Sequence, residues 1–491
     1  MTGGCERPGI TLHAHRSGTT TPGRLSASAG WLALLLAVAL LARVGIYARV
    51  PTRLTPDGFS YLNLARQLRG VPVPRAWDEL ANLPRHNEAA RTPGYPLFLN
   101  LVFLAGGYAP TPASLLAGFE RQRRFERYHF DFLERSENIR AVQLVQHALG
   151  LAATGLAYAI VRRWTGRAGL AALAAALAVG LRPSWLYHYE PAVHTEILAA
   201  TLVLCSIWLL TWAEARGGAG MAWAASLSAV SAAAILVRPA LAFAAPLLLV
   251  GTRSVGRCRW RAVAAAGVVW LALVGGWVIR NGVREGYWGI SSIGPHNLVS
   301  HVDFDPGVVT DALVAPLCAA ACGKPYGGAS ILRSLVVEGG LSYVQASSRL
   351  GEQVRRLIVH RPAAYLASVG AAFVRFWYPQ EVLLPWEGAR TRPIARLSPA
   401  FWGAYVAGYV GATGLVVLGV AALPVPRATR LSVALAGVAA LGIACVVGTP
   451  GDNVRSAFPF APIVVMAGAV VASRGRDWLL TRAVRRPRRG D

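Results

Sequence analysis

Two carboxylates and a set of arginines stand at the margins of apolar runs, where an ionisable group is costly and is usually functional. Asp57 lies in LTPDGFSYLNLARQLRG (54–70), directly after the first long apolar run. Glu196 opens another such run in YHYEPAVHTEILAATLVLCSIWLL (187–210), flanked by His194 and Thr195 and preceded by Glu190. Arg91 comes just before Pro-Gly-Tyr-Pro in HNEAARTPGYPLFLNLVF (86–103). Arg238 interrupts ILVRPALAF, Arg280 ends a run in WVIRNG, and Asp452 and Arg455 share GTPGDNVRSAFPFAP. A carboxylate can take the proton of an acceptor hydroxyl, and a guanidinium is a planar fork of donors that fits a phosphate. At a membrane surface a lipid phosphate is a natural partner for such arginines. Taken singly, each residue fits a salt bridge or an interfacial anchor equally well, and only a shared side of a membrane would join them.

Composition supplies the membrane. Of 491 residues, 54% are hydrophobic and 15% charged, against about 25% charged in soluble proteins. Apolar stretches long enough to cross a bilayer recur. They run over 31–50, 140–161, 168–188, 192–213, 221–237, 239–251, 261–279, 400–422, 430–448 and 457–473. The expectation is an all-α polytopic membrane protein of about ten transmembrane helices, within a range of nine to twelve. Two further stretches, 94–109 and 362–378, are ambiguous. The positive-inside rule resolves them. With the N-terminus inside and 94–109 not crossing, Arg162/Arg163/Arg167, Arg253/Arg257/Arg259/Arg261, Arg427/Arg430 and the tail from Arg474 to Arg489 are all cytoplasmic. Both termini then lie inside, both ambiguous stretches rest at the outer interface, and Asp57, Arg91, Glu196, Arg238, Arg280 and Arg455 share the outer face of the plasma membrane. The formal charge of +25, which in a soluble chain would suggest nucleic acid, is largely accounted for by this topology. No nucleic-acid partner is expected.

The same pattern divides the chain. Residues 1–30 read as a disordered cytoplasmic tail without an evident cleavable signal. A transmembrane catalytic module follows over 31–280, including the outer loop 51–139. Residues 281–398 form a second outer region with interfacial helices, 399–475 the last transmembrane helices, and 476–491 a basic cytoplasmic tail. Within the first outer loop, 119–140 reads as an interfacial helix. Thr55 as cap, Pro56 as first residue and Gly70 as stop place a helix over about 56–69. Its period puts Asp57, Tyr61, Leu64 and Leu68 on one inward stripe, with Asn63, Arg66, Gln67 and Arg69 elsewhere. A first-turn acid is favoured by the helix dipole, so Asp57 is expected ionised. An amphipathic helix is expected around 330–360, and His296, His301 and Asp303 fit either substrate contacts or a solvated loop. Cys318 and Cys322 fit either a local disulfide or two thiols; zinc would need more ligands than their segment offers.

Taken in order, the acid followed by Tyr-Leu-x-x-Ala after the first span, RTPGYPLFL, HTE opening a span, VRPALAF and DNVRSAFPFAP resemble the integral-membrane glycosyltransferases of the C-type fold. The protein O-mannosyltransferase-like and aminoarabinose-transferase-like enzymes are of this kind. The likeness covers roughly residues 30–475. It implies a polyprenyl-phosphate sugar donor and a protein, lipid or polysaccharide acceptor on the outer face, with a hexosyl or pentosyl group moved and its anomeric centre inverted. It further implies Asp57 at the acceptor, Glu196 as a second acid and Arg91 at the donor phosphate. Arg238 or Arg280 would assist Arg91, and Tyr61, Tyr95, His194 and Arg455 are the expected substrate contacts. Many relatives carry Asp-Glu where this chain has Asp57-Gly58, so no cofactor and a metal-free mechanism are expected, with a divalent metal the alternative. A flippase of lipid-linked sugars, or a ligase of whole polysaccharides, would use much the same residues.

Overall fold

The computed structural model describes residues 22–71, 89–108, 132–134, 136–166, 169–218, 220–244, 251, 253, 259–323, 327–378, 399–448 and 455–485. The protein is an all-α polytopic membrane protein. Eight helices among the described residues have the length and apolar composition to cross a bilayer: Ala29–Arg49, Glu137–Thr165, Leu170–Tyr189, Glu196–Ala215, Trp260–Glu285, Gly403–Ala422, Arg427–Val446 and Phe458–Thr481. At about 1.5 Å per residue, twenty residues reach roughly 30 Å, the thickness of the hydrocarbon core. Of the two other expected spans, 221–237 is an apolar helix of 17 residues. The remaining one, 239–251, begins as a tight 3₁₀ turn over Pro239–Ala244 and then leaves the described residues.

Helices are numbered in chain order: α1 (Pro22–Arg49), α2 (Pro56–Leu68), α3 (Gly94–Ala105), α4 (Glu137–Thr165), α5 (Leu170–Gly180), α6 (Glu196–Ala215) and α7 (Met221–Val237). After the span Trp260–Glu285 come α8 (Gly294–Leu298), α9 (Ala315–Ala321), α10 (Gly327–Val337), α11 (Tyr343–His360) and α12 (Pro362–Phe376). The last three are α13 (Pro399–Ala422), α14 (Arg427–Val446) and α15 (Ala461–Arg485).

α4 is the central post, packed against α1, α3, α5, α6 and α15. Small buried residues on it and its neighbours, Ala153, Ala157, Ala172, Ala175 and Ala176, let the backbones approach closely. α3 is only 12 residues long, about 18 Å, too short to span. α11 and α12 meet at a bend of 103°, at Arg361 and Pro362, where proline cannot continue the preceding helix. Their neighbourhood has its own apolar core, in which Val299, Val314, Ile331, Tyr343, Leu350 and Val354 pack with Ala90. Arg91, next to Ala90, therefore sits where this lobe meets the helix bundle.

Two expectations are corrected. Residues 132–134, assigned to an interfacial helix over 119–140, form a short strand β2 that pairs antiparallel with β1 (Thr52–Leu54) in the register Thr52↔Glu134, Arg53↔Leu133, Leu54↔Phe132. Residues 119–131 of that helix lie outside the described residues, and α4 already begins at Glu137. On α2 the caps hold: Thr55 accepts from the Gly58 amide at 3.1 Å, and Gly70 has φ 68°. Its inward stripe does not hold. Leu68 is exposed and Asn63 is buried, because residues 58–65 are covered on more than one side, by α3 and by Val193.

Candidate functional site

Three chain segments far apart in sequence are tied together at one end of the bundle. β1 fixes the stretch before α6, since Arg53 donates its amide to Pro191 O at 2.7 Å and accepts from the Val193 amide at 2.9 Å. This places His194 and Glu196 beside the start of α2. The Arg-Thr-Pro-Gly motif docks from the other side. A Cβ on Gly94 would stand 2.6 Å from the Val237 nitrogen and 2.6 Å from the Leu236 carbonyl carbon, so only glycine lets the start of α3 touch the end of α7. Arg91 and Arg238 are thereby brought to the same place.

The charged groups form one network. Asp57 accepts from Arg91 Nη2 through one oxygen and from Arg455 Nη1 through the other, the latter at 2.6 Å. Arg455 also donates through Nε to Glu196 Oε1, and its Nη2 lies 2.8 Å from His194 Nδ1. Arg238 Nη1 donates to Glu196 Oε1 at 2.8 Å and to Thr195 Oγ1 at 3.2 Å, while its Nη2 donates to Ser456 Oγ at 3.1 Å. Arg91 Nη1 reaches Tyr61 OH at 3.4 Å, with the guanidinium 5.0 Å from the centre of the Tyr61 ring. Tyr95 stands behind them, edge-on to Tyr61 at 5.1 Å, with its hydroxyl donated to Gln146 Oε1 at 2.8 Å.

Among the described residues, three guanidiniums face two carboxylates. Glu196 is fully buried, whereas the side chains of Asp57, Arg91, Arg238 and Arg455 remain 13 to 17% exposed. Burial works to raise the Asp57 carboxyl, but Arg91 and Arg455, with His194, outweigh it and hold it well below the usual carboxylate range. Burial and the Arg455 charge push His194 down to about 3, so its imidazole is neutral at pH 7. Among the described residues the network thus holds three cationic groups against two anionic ones, and all but Glu196 can be reached.

Of the residues singled out from sequence, Asp57, Glu196, Arg91, Arg238, Tyr61, His194 and Arg455 come together, and Tyr95 backs them. Arg280 does not join them. Its described contacts are local, with Asn281 at 3.2 Å, Glu285 at 3.7 Å and the Trp277 ring at 4.8 Å. Asp452 lies outside the described residues. His296 is near enough to feel the charges of Arg91 and Asp57, and burial with Arg91 pushes it down to about 4. His301 bonds instead to Ser368 at 2.9 Å. Cys318 and Cys322 are free thiols. Among the described residues, no three His, Cys, Asp or Glu side chains gather as a metal would require.

A second ionic network passed unnoticed in sequence. Arg43, inside the first apolar run, donates to Glu190 Oε1 at 2.6 Å, and His147 Nδ1 lies 2.6 Å from Glu190 Oε2. Gln146 links this network to the site, donating to the carbonyls of Glu190 and Ala192 while accepting from Tyr95. The available signal was a lone arginine within ALLARVG.

The sequence matches no protein-family model and no curated protein. Solved structures do resemble the fold. ArnT from Cupriavidus metallidurans bound to undecaprenyl phosphate is 18% identical, with 93% of this chain and 81% of that chain covered and a TM-score of 0.37. The archaeal oligosaccharyltransferase AglB from Archaeoglobus fulgidus, in complex with an inhibitory peptide and a dolichol-phosphate, is 12% identical with a TM-score of 0.39. There 94% of this chain is covered, and the chain spans 52% of AglB.

Proposed function

We propose that the chain is a membrane glycosyltransferase that moves a sugar from a polyprenyl-phosphate donor to an acceptor hydroxyl at the outer face of the membrane. The observation that carries this reading is the excess of cations among the described residues: three reachable guanidiniums against two carboxylates at the end of an apolar bundle. A phosphate carried on a long isoprenoid tail matches both halves of that surface, its charge on the arginines and its tail along the helices.

In the transfer, the acceptor oxygen forms its bond to the anomeric carbon on the face opposite the phosphate. The carbon–oxygen bond to phosphate breaks, and its electron pair leaves with the polyprenyl phosphate. The acceptor proton passes to Asp57. A carboxylate shared by two guanidiniums is a weak base; a donor phosphate that draws Arg91 or Arg455 to itself restores Asp57's basicity, so donor binding prepares the base. Arg91 and Arg455 then stabilise the departing charge, and Glu196 with Arg238 and His194 fixes Arg455. Single displacement inverts the anomeric centre.

A metal is not part of this reading. Both site carboxylates are already engaged by arginines, and a Cβ at position 58 would lie 3.1 Å from the Val193 carbonyl oxygen, tight quarters for a second acid. The test is a deletion strain complemented in turn with the wild-type chain and with Asp57→Asn. A glycan lost on deletion should return with the first and stay absent with the second, at equal membrane levels of the two proteins. Its return with Asp57→Asn would remove the base from the mechanism.

A further inference from the structure

Arg91 and Arg455 bond to different oxygens of Asp57 and are held from different sides. Arg91 precedes α3, whose first turn carries Tyr95. Arg455 is held by His194 and Glu196, which follow the backbone segment 190–192. A single side chain of α4 touches both sides. Gln146 donates from Nε2 to the carbonyls of Glu190 at 2.9 Å and Ala192 at 2.6 Å, and its Oε1 accepts from the Tyr95 hydroxyl at 2.8 Å. Tyr95 lies four residues after Arg91, and Ala192 four before Glu196. Gln146 and Tyr95 are both 0% exposed. Two carbonyls require two N–H donors and the hydroxyl requires an acceptor, so the three partners fix the amide in one orientation. A carboxylate of the same shape would face both carbonyls with no proton to give.

We propose that Gln146 is a positioning residue that sets the separation of Arg91 from Arg455, and with it the ability of both guanidiniums to reach one lipid phosphate; this rests on the donor reading above. In the resting network Arg455 itself bridges Asp57 and Glu196. A phosphate that draws Arg91 or Arg455 from Asp57 loosens that bridge just when the spacing matters. The contacts of Gln146 are to backbone and to a tyrosine behind the site, so they persist while the arginines change partners. Cations held in place beforehand lose less of their interaction energy to ordering when the anion arrives. The link has little slack. Tyr95 is edge-on to Tyr61 at 5.1 Å, and the backbone of Arg53 holds Pro191 and Val193 at 2.7 and 2.9 Å. A change at Gln146 is therefore passed to Arg91 on one side and to Glu196 on the other.

Gln146→Leu keeps the approximate volume and removes all three hydrogen bonds, whereas Tyr95→Phe removes one hydroxyl and is the milder cut. Both are compared with wild type as full chains in lipid nanodiscs, by thermal midpoint and by the affinity of the folded fraction for undecaprenyl phosphate. Each variant should bind roughly tenfold more weakly, the scale of one misplaced hydrogen-bonding group. The double variant should bind no more weakly than Gln146→Leu alone, since both changes cut the same link. A residue with only a structural role would lower the midpoint and leave the affinity of the folded fraction at the wild-type value. That result overturns the proposal, and Tyr95→Phe can deliver it should Gln146→Leu not fold. Losses that multiply in the double variant also overturn it, because Tyr95 would then act apart from Gln146. Failure of the wild-type chain to bind undecaprenyl phosphate would instead remove the donor reading, and this inference with it.

Discussion

Two ionic networks lie close together in this protein and are built on opposite terms. The inner one pairs Arg43 with Glu190, whose side chains are 2% and 0% exposed, and closes it with His147. It has one guanidinium for one carboxylate, and Gly150 is needed to accommodate it, because a Cβ there would meet Glu190 Oε1 at 2.1 Å. The outer one sets Arg91, Arg238 and Arg455 against Asp57 and Glu196 and leaves several of them reachable. Residue types are nearly the same in both. On the proposed reading, what separates a network that holds helices from one that takes a ligand is its charge balance and its access.

The largest effect that can break this comparison is on stability. Arg43→Ala leaves Glu190 buried without its cation, which should cost about 3–5 kcal/mol and sharply reduce folded protein. The double change Arg43→Met with Glu190→Leu should recover most of that loss, since neither charge is then left unpaired. Thermal unfolding in detergent checks both. If Arg43→Ala is as stable as wild type, the inner network is not structural.

In the outer network the loss should fall on turnover. Arg455→Gln is expected to lower sugar transfer by about 10²–10³-fold, the range for removing a donor that stabilises departing charge. Its thermal midpoint should move little, because Glu196 keeps Arg238 and Asp57 keeps Arg91. A variant that unfolds without losing specific activity would make the two networks alike.

A smaller effect comes from pH. His194 is neutral in the folded protein, with its pKa pushed from 6.5 to about 3. Unfolding frees it to bind a proton, so its contribution to stability is whole above about 6.5 and is lost as pH falls toward 3. Between pH 7 and 5 this amounts to on the order of 2 kcal/mol. Asp57 acts in the same direction at lower pH, because its folded carboxyl is held below its ordinary 3.8. His194→Asn should flatten the pH 7-to-5 decline in midpoint, and an unchanged slope would show that His194 is not buried neutral. The smallest effect is at Arg280: with its described contacts inside its own helix, Arg280→Gln should leave transfer within about twofold.

The parts legible in sequence are those governed by local rules. Thr55, Pro56 and Gly70 bounded α2 through capping and backbone preference, and apolar run length located the long helices. Parity of membrane crossings, from run length and arginine loops, put Asp57, Glu196, Arg238 and Arg455 on one expected side of the membrane, and their mutual contacts came from the fold. The side on which a residue is covered did not follow from period. Asn63 is buried and Leu68 exposed because α2 is packed by α3 and Val193, not by a single flat surface. Arg280 resembled Arg238 in sequence, yet its described contacts are with its own helix, since crossing parity gives depth but not lateral position. The Arg43–Glu190 pair spans 147 residues, and no periodicity reveals a partner at that distance.

The central claim, that the surplus positive charge of the outer network exists for a lipid phosphate, is tested most directly by undecaprenyl-phosphate binding to the full chain in nanodiscs. Removing one charge-assisted phosphate contact costs about 2 kcal/mol, so Arg91→Gln should weaken binding roughly thirtyfold, while Arg280→Gln should match wild type. Equal binding by all three proteins would contradict the account.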